Sequence, residues 1–579
     1  MNSMMMTGRQ RPRRRRQRLG PIFVSIFILT ALASAALFWW LSERPNTAHE
    51  TPEYASIEHP IMLDGEWSQT GAQGEGEGLL IPLEIARKLL GDGVRYEQDS
   101  QSIILTTNQA VLHFKTGELD ATMNRKPLKL SFAAKDEDGK LYLPFAPLKE
   151  LFGIQAEVGE TSGIVTLLMP DKKVQQGEVP ASSKKGAKLR SGPDKSYPIV
   201  EDLAPGADVT VWGEEEGWYK LQSAEGFIGY APKSGIALGE SKVVPSASEE
   251  EKPFVPWNLT NERINLTWEP VYTANPDTGK IGELTGVNVV SPTWFALKDG
   301  TGQIISKADA SYSTWARNKG VQVWGLFSND FEPVKTTQAL ADYDTRMSMI
   351  QQLLAYAKAF KLNGINLDFE NVETSDKDNF VQFVRELAPL LHEQNLVLSV
   401  DVTPKSGSEY WSLFLDRGRL AEAADFLILM AYDEHWASSP EAGSVASLPW
   451  TEQSISRLLE EDGVPAGKLI LGMPFYTRIW TETVSGTGET KVTSKTMSMD
   501  SVNKLLAEKK LTPKLSEETG QNYVEFKEEG ATKKIWIEDA SSIRKRAELV
   551  KKYSLAGAAS WRRGFESSDI WAALDKALQ

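Results

Sequence analysis

The segment Asn363-Gly364-Ile365-Asn366-Leu367-Asp368-Phe369-Glu370 decides the fold of this chain. From Ile365 onward its residues alternate between apolar and polar. Successive side chains of a β-strand point to opposite faces, so a strand here places Asn366, Asp368 and Glu370 on one face. Polar side chains that face a protein interior need partners or a ligand there. The segment therefore predicts a buried strand whose polar face leads into a functional cleft.

Apolar, strand-like runs recur on both sides of this segment and alternate with amphipathic helical stretches. Two such helical stretches, 337–360 and 377–394, flank the segment itself. This alternation predicts βα units and a parallel sheet. Eight units over roughly 320 residues fit a (β/α)8 TIM barrel. The eight predicted strands are 264–272, 286–295, 321–327, 364–370, 396–402, 426–432, 469–476 and 556–561.

The gap between the seventh and eighth predicted strands is too long for an ordinary connection. It covers 477–555 and contains strand-like pieces at 523–526 and 534–537. Connections in compact domains are usually a few residues long. We therefore expect a small α+β insertion at about 480–536 that covers one side of the cleft.

Two carboxyl groups on one face of the deciding strand indicate acid–base chemistry. The functional site of such a barrel lies at the carboxyl ends of its strands, and Glu370 is the last residue of its strand. Asp368 and Glu370 are about 7 Å apart along a strand, so their repulsion raises the proton affinity of one of them. Glu370 is thus the best-placed proton donor. A purely structural polar network at the strand end is the alternative.

The motifs resemble those of glycoside hydrolase family 18. Asn363 to Glu370 looks like the family's DGxDxDxE signature, and Met430-Ala431-Tyr432-Asp433 is similar to its MxYD motif. Gly472 to Tyr476 matches its seventh strand, and Gly557 to Trp561 ends in its tryptophan. The resemblance covers 258–579. The layout most resembles spore and cell-wall hydrolases of bacilli, which implies an N-acetylglucosaminidase acting on peptidoglycan.

The resemblance implies roles for individual residues. Family members use the 2-acetamido oxygen of the substrate as the nucleophile, with retention of configuration. Glu370 would protonate the leaving oxygen, Asp368 would bind the acetamido N–H, and Tyr432 would donate to the acetamido oxygen. We expect no metal and no cofactor. The expected substrate-binding residues are Asn366, Asp433, Trp561, Met430, Tyr476 and Trp294, of which Trp294 and Tyr476 could instead be packing residues.

The signature departs from the family at two positions. Asn363 and Asn366 stand where the family has aspartates, and the second of these normally pairs with the residue equivalent to Asp368. Asn366 can hydrogen-bond Asp368 but cannot share a negative charge, so the pH profile stays open. The wall-hydrolase branch tolerates this asparagine, which favours peptidoglycan. A chitinase or chitooligosaccharidase, or an inactive glycan-binding protein, are the alternatives.

The residues ahead of the barrel divide into two modules. The segments 79–91 and 141–153 both read as strand, proline, short helix and glycine, so 74–170 is predicted to be an α+β unit of two similar halves. It resembles a copper amine oxidase N-terminal-like domain, without a copper-ligand cluster. Short alternating strands at 184–240 predict a small β-barrel that resembles a bacterial Src-homology-3-like domain. Segments 43–73, 171–183 and 241–256 are a predicted stalk and two linkers.

The N-terminus predicts a location outside the cytoplasm. Seven arginines precede an uncharged, mostly apolar run at 19–41, which is long enough to cross a bilayer. We therefore expect a basic cytoplasmic tail at 1–18 and a single-pass transmembrane signal-anchor helix at 19–42 in the cell membrane. A signal peptide cleaved near Ala33-Ser34-Ala35 is the alternative, and it would give a secreted or cell-wall or spore-associated enzyme.

Composition excludes several function classes. The net charge is −14, and the seven N-terminal arginines leave −21 for the rest of the chain, which argues against nucleic acid as a partner. The absence of cysteine excludes thiol chemistry, and five scattered histidines show no zinc spacing. The expected partners are peptidoglycan or another N-acetylglucosamine-containing glycan, and the membrane. We expect a monomer.

Overall fold

The structure is a computed structural model that describes residues 20–42, 44–246, 254–256, 262–486 and 488–579. The predicted basic tail at 1–18 and parts of the predicted linker at 241–256 lie outside the described residues. The chain forms two compact units, one made of 1–85 with 144–249 and the other of 86–143 with 250–579. The domain boundaries expected from the sequence stay predictions.

A closed barrel of eight parallel strands forms most of the second unit, which confirms the predicted fold. Each strand pairs in parallel with the next, and the eighth pairs with both the seventh and the first. The strands are β1 (Ile264–Glu269), β2 (Val289–Pro292), β3 (Gln322–Ser328), β4 (Gly364–Asp368), β5 (Val397–Val402), β6 (Phe426–Met430), β7 (Leu469–Pro474) and β8 (Gly557–Trp561).

Side chains on the two faces of the strands belong to two separate cores. The alternation within 363–370 predicts this arrangement. Ile365, Leu367 and Phe369 join the large core between the strands and the helices. Trp268 and Trp324 belong to a smaller core inside the barrel. Because one face of β4 is polar, this strand brings hydrogen-bonding groups into the interior of the barrel near its carboxyl end.

Helices surround the barrel. The predicted stretch at 337–360 is two helices rather than one, because the Asp342 side chain caps the second by accepting from the backbone N–H of Thr345. The predicted stretch at 377–394 is one helix with nearly the expected ends. The helices of this part of the chain are Ala310–Asn318, Pro333–Leu340, Tyr343–Phe360, Lys377–His392, Arg417–Ala423, Leu448–Glu460, Ala540–Lys552 and Ile570–Leu578. A short hairpin of Phe295–Leu297 and Ile304–Ser306 follows β2.

A small α+β insertion lies between β7 and β8. It is an antiparallel five-stranded sheet with one helix, Met499–Lys509, packed on it. Val502 from the helix and Val524 and Ile535 from the sheet form its core. In spatial order the strands are Thr490–Ser498, Tyr476–Val484, Ala531–Ile537, Gln521–Glu528 and Lys514–Ser516.

A second antiparallel sheet, formed by 86–143, packs against helices of the barrel. Its strands are Val94–Glu97, Ser102–Thr106, Val111–Lys115, Asp120–Met123 and Lys126–Lys129. Ile104 and Val111 are buried in the same core as the barrel helices, and the His113 ring stacks on Tyr343 with 3.8 Å between centroids. The sequence does not predict this attachment to the barrel.

A buried ion triad joins this sheet to two barrel helices. The Arg346 guanidinium has no exposed surface and donates to Glu386 and to Glu97, each at 2.8 Å. Glu97 also accepts from the backbone N–H of Tyr343 at 2.8 Å, at the start of a helix. Burying charges is costly unless they are paired and hydrogen-bonded, and here all three are.

The first unit is rich in β-structure. One sheet has four strands, Gln155–Val158, Val165–Leu168, Pro60–Leu63 and Glu66–Gly71 in spatial order. A second has seven, Ile199–Leu203, Ala187–Arg190, Ile228–Pro232, Trp218–Ser223, Asp208–Glu215, Lys173–Glu178 and Ala237–Val243. The helix Phe145–Phe152 ends at Gly153, whose φ of 71° favours glycine. The strand Leu80–Pro82 also lies in this unit, the helix Leu83–Leu90 and the strand Lys140–Pro144 run across its boundaries, and the strand Lys135–Glu137 lies in the second unit.

The N-terminal apolar run forms a helix, Gly20–Ser42. Side chains at several of its positions, including 20–22 and 41–42, lie outside the described residues. Within the residues that are described, no helix is both long enough and apolar enough to cross a membrane. The structure thus does not support the predicted transmembrane anchor.

Candidate active site

The predicted catalytic residues meet at the carboxyl ends of the barrel strands. Asp368 ends β4 and Glu370 follows it by two residues. Tyr432 follows β6, and Trp561 ends β8. Electrostatic interactions link Tyr432 with both carboxyls, so the side chains share one site.

Asn366 is the centre of a buried hydrogen-bond network below the carboxyl pair. Its Oδ1 accepts from the indole N–H of Trp268 at 2.9 Å and from the Ser291 hydroxyl at 3.0 Å. Its Nδ2 donates to Asp401 Oδ1 at 2.8 Å. An indole nitrogen can only donate, which fixes the orientation of the Asn366 amide. Asn366 is therefore a structural member of the site, with its N–H pointed at the Asp401 carboxyl on β5.

The acid–base pair is desolvated. Burial raises the pKa of Asp368 to about 6, although a hydrogen bond with Glu370 opposes the shift. Burial and the charge of Asp368 raise the pKa of Glu370 well above its usual range. Because two like charges in close contact repel, the pair retains a proton where free carboxyls would have lost theirs. Asp368 Oδ1 accepts no hydrogen bond within the described part of the chain.

The backbone of Glu370 is held by Asn329, which follows β3. The Glu370 N–H donates to Asn329 Oδ1 at 3.1 Å, and Asn329 Nδ2 donates to the Glu370 carbonyl at 2.7 Å. Asn329 is itself fully buried and also donates to the Thr336 hydroxyl at 3.0 Å. This double contact fixes where the Glu370 side chain leaves the barrel rim.

Tyr432 presents a protonated hydroxyl to the same site. Burial raises the pKa of Tyr432 well above its usual value, and the charge of Asp401 adds to this effect. Its ring packs edge-on to Tyr476, with 6.3 Å between centroids. A phenol whose pKa is raised keeps its proton to a higher pH than a free tyrosine and remains a hydrogen-bond donor over that wider range.

Asp433 is bound by two residues from the insertion. Its Oδ1 accepts from the Tyr476 hydroxyl at 2.6 Å and from Arg478 at 2.8 Å. Arg478 was not expected from the sequence, since it lies beyond the seventh strand motif. The insertion is therefore tied to the rim of the catalytic barrel through one carboxylate that is still 43% exposed.

Three of the expected substrate-binding residues differ in accessibility. Trp561 is partly exposed and packs edge-on to Trp268 at 5.9 Å, so one of its faces remains available as a floor. Met430 is buried at the end of β6. Trp294 is only 1% exposed, and its indole N–H donates to Asn275. Its ring lies in the core with Tyr312, so the structure assigns it to packing and not to a sugar-stacking surface.

Asp401 was missed, although its signal is visible in the sequence. It is the only charged residue of the strand Val397–Val402, which is buried and otherwise apolar except for Ser399.

Glu269, at the end of β1, is a buried residue paired with Arg563 and Tyr312 rather than a free ligand of sugar. Among the described residues, no group of three or more histidines or carboxylates is arranged to hold a metal.

Comparison with known proteins finds three families in the chain. Residues 278–566 match glycosyl hydrolases family 18, residues 185–237 match the bacterial SH3 domain, and residues 68–167 match the copper amine oxidase N-terminal domain. The resemblances inferred from the motifs are thereby confirmed.

Relatives from Bacillus subtilis share the barrel region. The uncharacterized glycosylase YvbX is 27% identical over 52% of this chain and 89% of its own length. The putative sporulation-specific glycosylase YdhD is 25% identical over 45% of this chain, and the cortical fragment-lytic enzyme is 25% identical over 40% of it. The matches span 61% and 53% of those two proteins. The chain therefore carries a glycosidase domain of glycosyl hydrolase family 18, preceded by a bacterial SH3 domain and a copper amine oxidase N-terminal domain.

Proposed function

We propose that the enzyme is an N-acetylglucosaminidase that cleaves peptidoglycan with retention of configuration. The observation that carries the proposal is the buried pair of Asp368 and Glu370 beside the Tyr432 hydroxyl. A glycosidase of this family needs one acid for the leaving oxygen and two groups that position the acetamido group. The three side chains supply these functions at one end of the barrel.

Glu370 acts as the general acid. Burial and the neighbouring charge of Asp368 raise its pKa, so its carboxyl keeps a proton where a free glutamate has lost it, and its position at the rim gives it access to a glycosidic oxygen. As the bond between C1 and that oxygen breaks, Glu370 transfers its proton to the departing sugar. The resulting carboxylate then takes a proton from the water that attacks C1, and this attack breaks the bond between C1 and the acetamido oxygen that formed in the first step.

Asp368 and Tyr432 orient the acetamido group. The acetamido oxygen attacks C1 and forms a positively charged oxazolinium, while Asp368 accepts the N–H and stabilises the positive charge. Tyr432 donates its hydroxyl hydrogen bond to the acetamido oxygen. Trp561 forms an apolar floor under the sugar and its methyl group. A sugar without the acetamido group would not be cleaved.

The choice of peptidoglycan rests on similarity and on domain composition. Two of the relatives carry names that refer to sporulation and to cortical fragments. The bacterial SH3 domain is consistent with a substrate in the cell wall. Chitin oligomers are the second candidate, because mouse chitotriosidase-1 is 28% identical over 26% of this chain.

Product analysis tests the bond that is cleaved. The full chain is incubated with purified peptidoglycan and, separately, with chitin oligomers, and the fragments are reduced with borohydride and identified by mass spectrometry. We expect reduced N-acetylglucosamine ends from peptidoglycan. Reduced muramic acid ends would show that the opposite bond is cut. Release from chitin alone would select the chitinase, and no release from either would leave a glycan-binding protein.

The pH dependence of activity should be bell-shaped. Asp368 acts as an anion, so kcat/KM should fall as the pH drops through about 6, where its raised pKa lies. Glu370 acts as an acid, so kcat/KM should also fall at alkaline pH as it loses its proton. Initial rates on a chromogenic N-acetylglucosaminide over pH 4–10 measure both limbs. An acid limb near pH 4 would contradict the proposed desolvation of Asp368.

We also propose that the enzyme acts outside the cytoplasm. The support is the sequence itself, in which seven arginines precede an uncharged apolar run. Fractionation of the producing cells, with protease added to intact protoplasts, is the test. Digestion of the enzyme by external protease, or its recovery from the medium, would support this location. A full-length chain that stays protected until the cells are lysed would contradict it.

A further inference from the structure

Asp401 is a buried carboxyl that lies outside all four sequence motifs. It belongs to β5, the strand next to β4, and only 2% of its surface is exposed. It accepts from Asn366 Nδ2 at 2.8 Å, and the Trp268 indole N–H also acts on it. No ion pair involves Asp401 among the described residues. A buried carboxylate without a cationic partner is costly to maintain, which calls for a functional reason.

Asp401 on β5 lies beside Asn366, the position on β4 where this chain lacks a charged residue. The family signature has an aspartate where this chain has Asn366. The Asn366 amide is oriented by two donors on its oxygen, so its N–H must point at the Asp401 carboxyl. The asparagine thus connects a carboxylate on β5 to the strand that carries Asp368.

Several charged and titratable groups face Asp401 from the surrounding strands. Asp368 from β4 is its strongest electrostatic neighbour, and Glu370 and Tyr432 also interact with it. Asp433 acts on Glu370 as well but is already paired with Arg478. Burial and the charge of Asp368 raise the pKa of Asp401 itself well above its usual range, and Asp401 in turn raises the pKa of Glu370. Once ionised, Asp401 is therefore a like charge close to the catalytic pair, and no ion pair within the described residues cancels its effect.

We propose that Asp401 is a positioning residue that supplies, from β5, the negative charge that the family signature places at the position of Asn366. Once Asp401 has ionised, its charge acts through the Asn366 amide and through space to hold the proton on Glu370 as the pH rises. It also favours the positive oxazolinium above it. This inference rests on the proposed hydrolysis by Glu370 and extends it to a second strand.

Two variants test the effect of the Asp401 charge separately from the effect of the size and shape of its side chain. Asp401→Asn keeps an oxygen that can accept from Asn366 but removes the charge. The alkaline limb of kcat/KM should then move to lower pH by about 1 unit, because a nearby negative charge no longer holds the Glu370 proton. Asn366→Asp combined with Asp401→Asn returns the charge to β4, so it should restore the alkaline limb.

A matched control is Asp425→Asn. Asp425 is another buried aspartate, at the opposite end of the barrel, where it contacts His392 and the backbone N–H of Leu398. This variant should leave the alkaline limb in place. Titration of the carboxyl carbons by NMR in each variant gives the same information without turnover, and thermal unfolding checks that each variant folds.

The outcomes distinguish the inference from the function on which it rests. No hydrolysis by the wild type of any N-acetylglucosaminide would overturn the proposed function. Hydrolysis by the wild type, with an unshifted alkaline limb in Asp401→Asn, would overturn the role of Asp401 alone. A limb that shifts but is not restored by the double variant would show that the charge cannot be relocated to β4, and would also overturn the inference.

Discussion

Glu370→Gln should lower kcat for glycan hydrolysis by roughly a thousandfold while leaving glycan affinity within about threefold. The amide is nearly the same size as the carboxyl but cannot donate an acid proton to the leaving oxygen. The backbone contacts with Asn329 do not involve the side chain, so the loop should keep its position. Turnover on peptidoglycan and binding to it in a sedimentation assay measure the two quantities.

Glu373→Gln is the matched control for this variant. Glu373 lies three residues further along the same loop, and its side chain caps no helix. Its substitution should change kcat less than about twofold. Equal losses in the two variants would mean that the loop responds to any such change, and Glu370 would lose its assignment as the acid. Loss of affinity along with kcat in Glu370→Gln would point to a binding role instead.

Arg346→Met should destabilise the catalytic unit by about 3–5 kcal/mol. The substitution leaves the buried Glu386 without a cation and leaves Glu97 with Arg95 alone, which donates to it at 2.9 Å. It also removes the donor to the Leu340 carbonyl at 3.0 Å. Because the triad spans the sheet of 86–143 and two barrel helices, its loss should loosen the sheet first. Denaturant unfolding gives the free energy, and hydrogen exchange in the sheet locates the effect.

Arg457→Met is the corresponding control at the surface. Arg457 pairs with Glu461 one helical turn away, and its side chain is 38% exposed. Exposed pairs of this kind contribute less than about 1 kcal/mol. If both variants lost the same stability, the burial of the triad would have no special effect. If Arg346→Met lost little stability, Arg95 or water would have to compensate the charges of the two glutamates.

The barrel and the position of the candidate carboxyl pair could be predicted because their signals are local. The alternation from Ile365 to Glu370 follows directly from the two faces of a strand, and it correctly predicts that the apolar residues pack in the outer core while Asn366 and Asp368 face away from it, with Glu370 following at the rim. All eight predicted strands are present, with ends shifted by a few residues. Strand ends depend on tertiary contacts, so they are the part that periodicity determines least.

The remaining features arise from contacts between distant parts of the chain. Asn329 holds Glu370 across 41 positions, and Arg346 meets Glu97 across 249. The sequence around Glu370 does not indicate that Asn329 contacts it, and the sequence around Arg346 does not indicate Glu97. Trp294 was expected at the cleft because it follows a strand, but its neighbours in space are Tyr312 and Phe360. Only the packing of the helices decides whether such a ring is buried.

The ion triad has a consequence for how this gene could be cut or recombined. The sheet that it holds belongs to 86–143, whereas the family match that includes this sheet extends from 68 to 167 and the glycosidase match begins only at 278. The second unit, which contains the barrel, is therefore formed by two separate pieces of the chain. More than a hundred residues lie between these two pieces. A fragment that starts at the glycosidase match would lack β1 of the barrel, and it would also expose Arg346 and an apolar surface to water. Transplanting the activity into another protein requires both pieces of the chain.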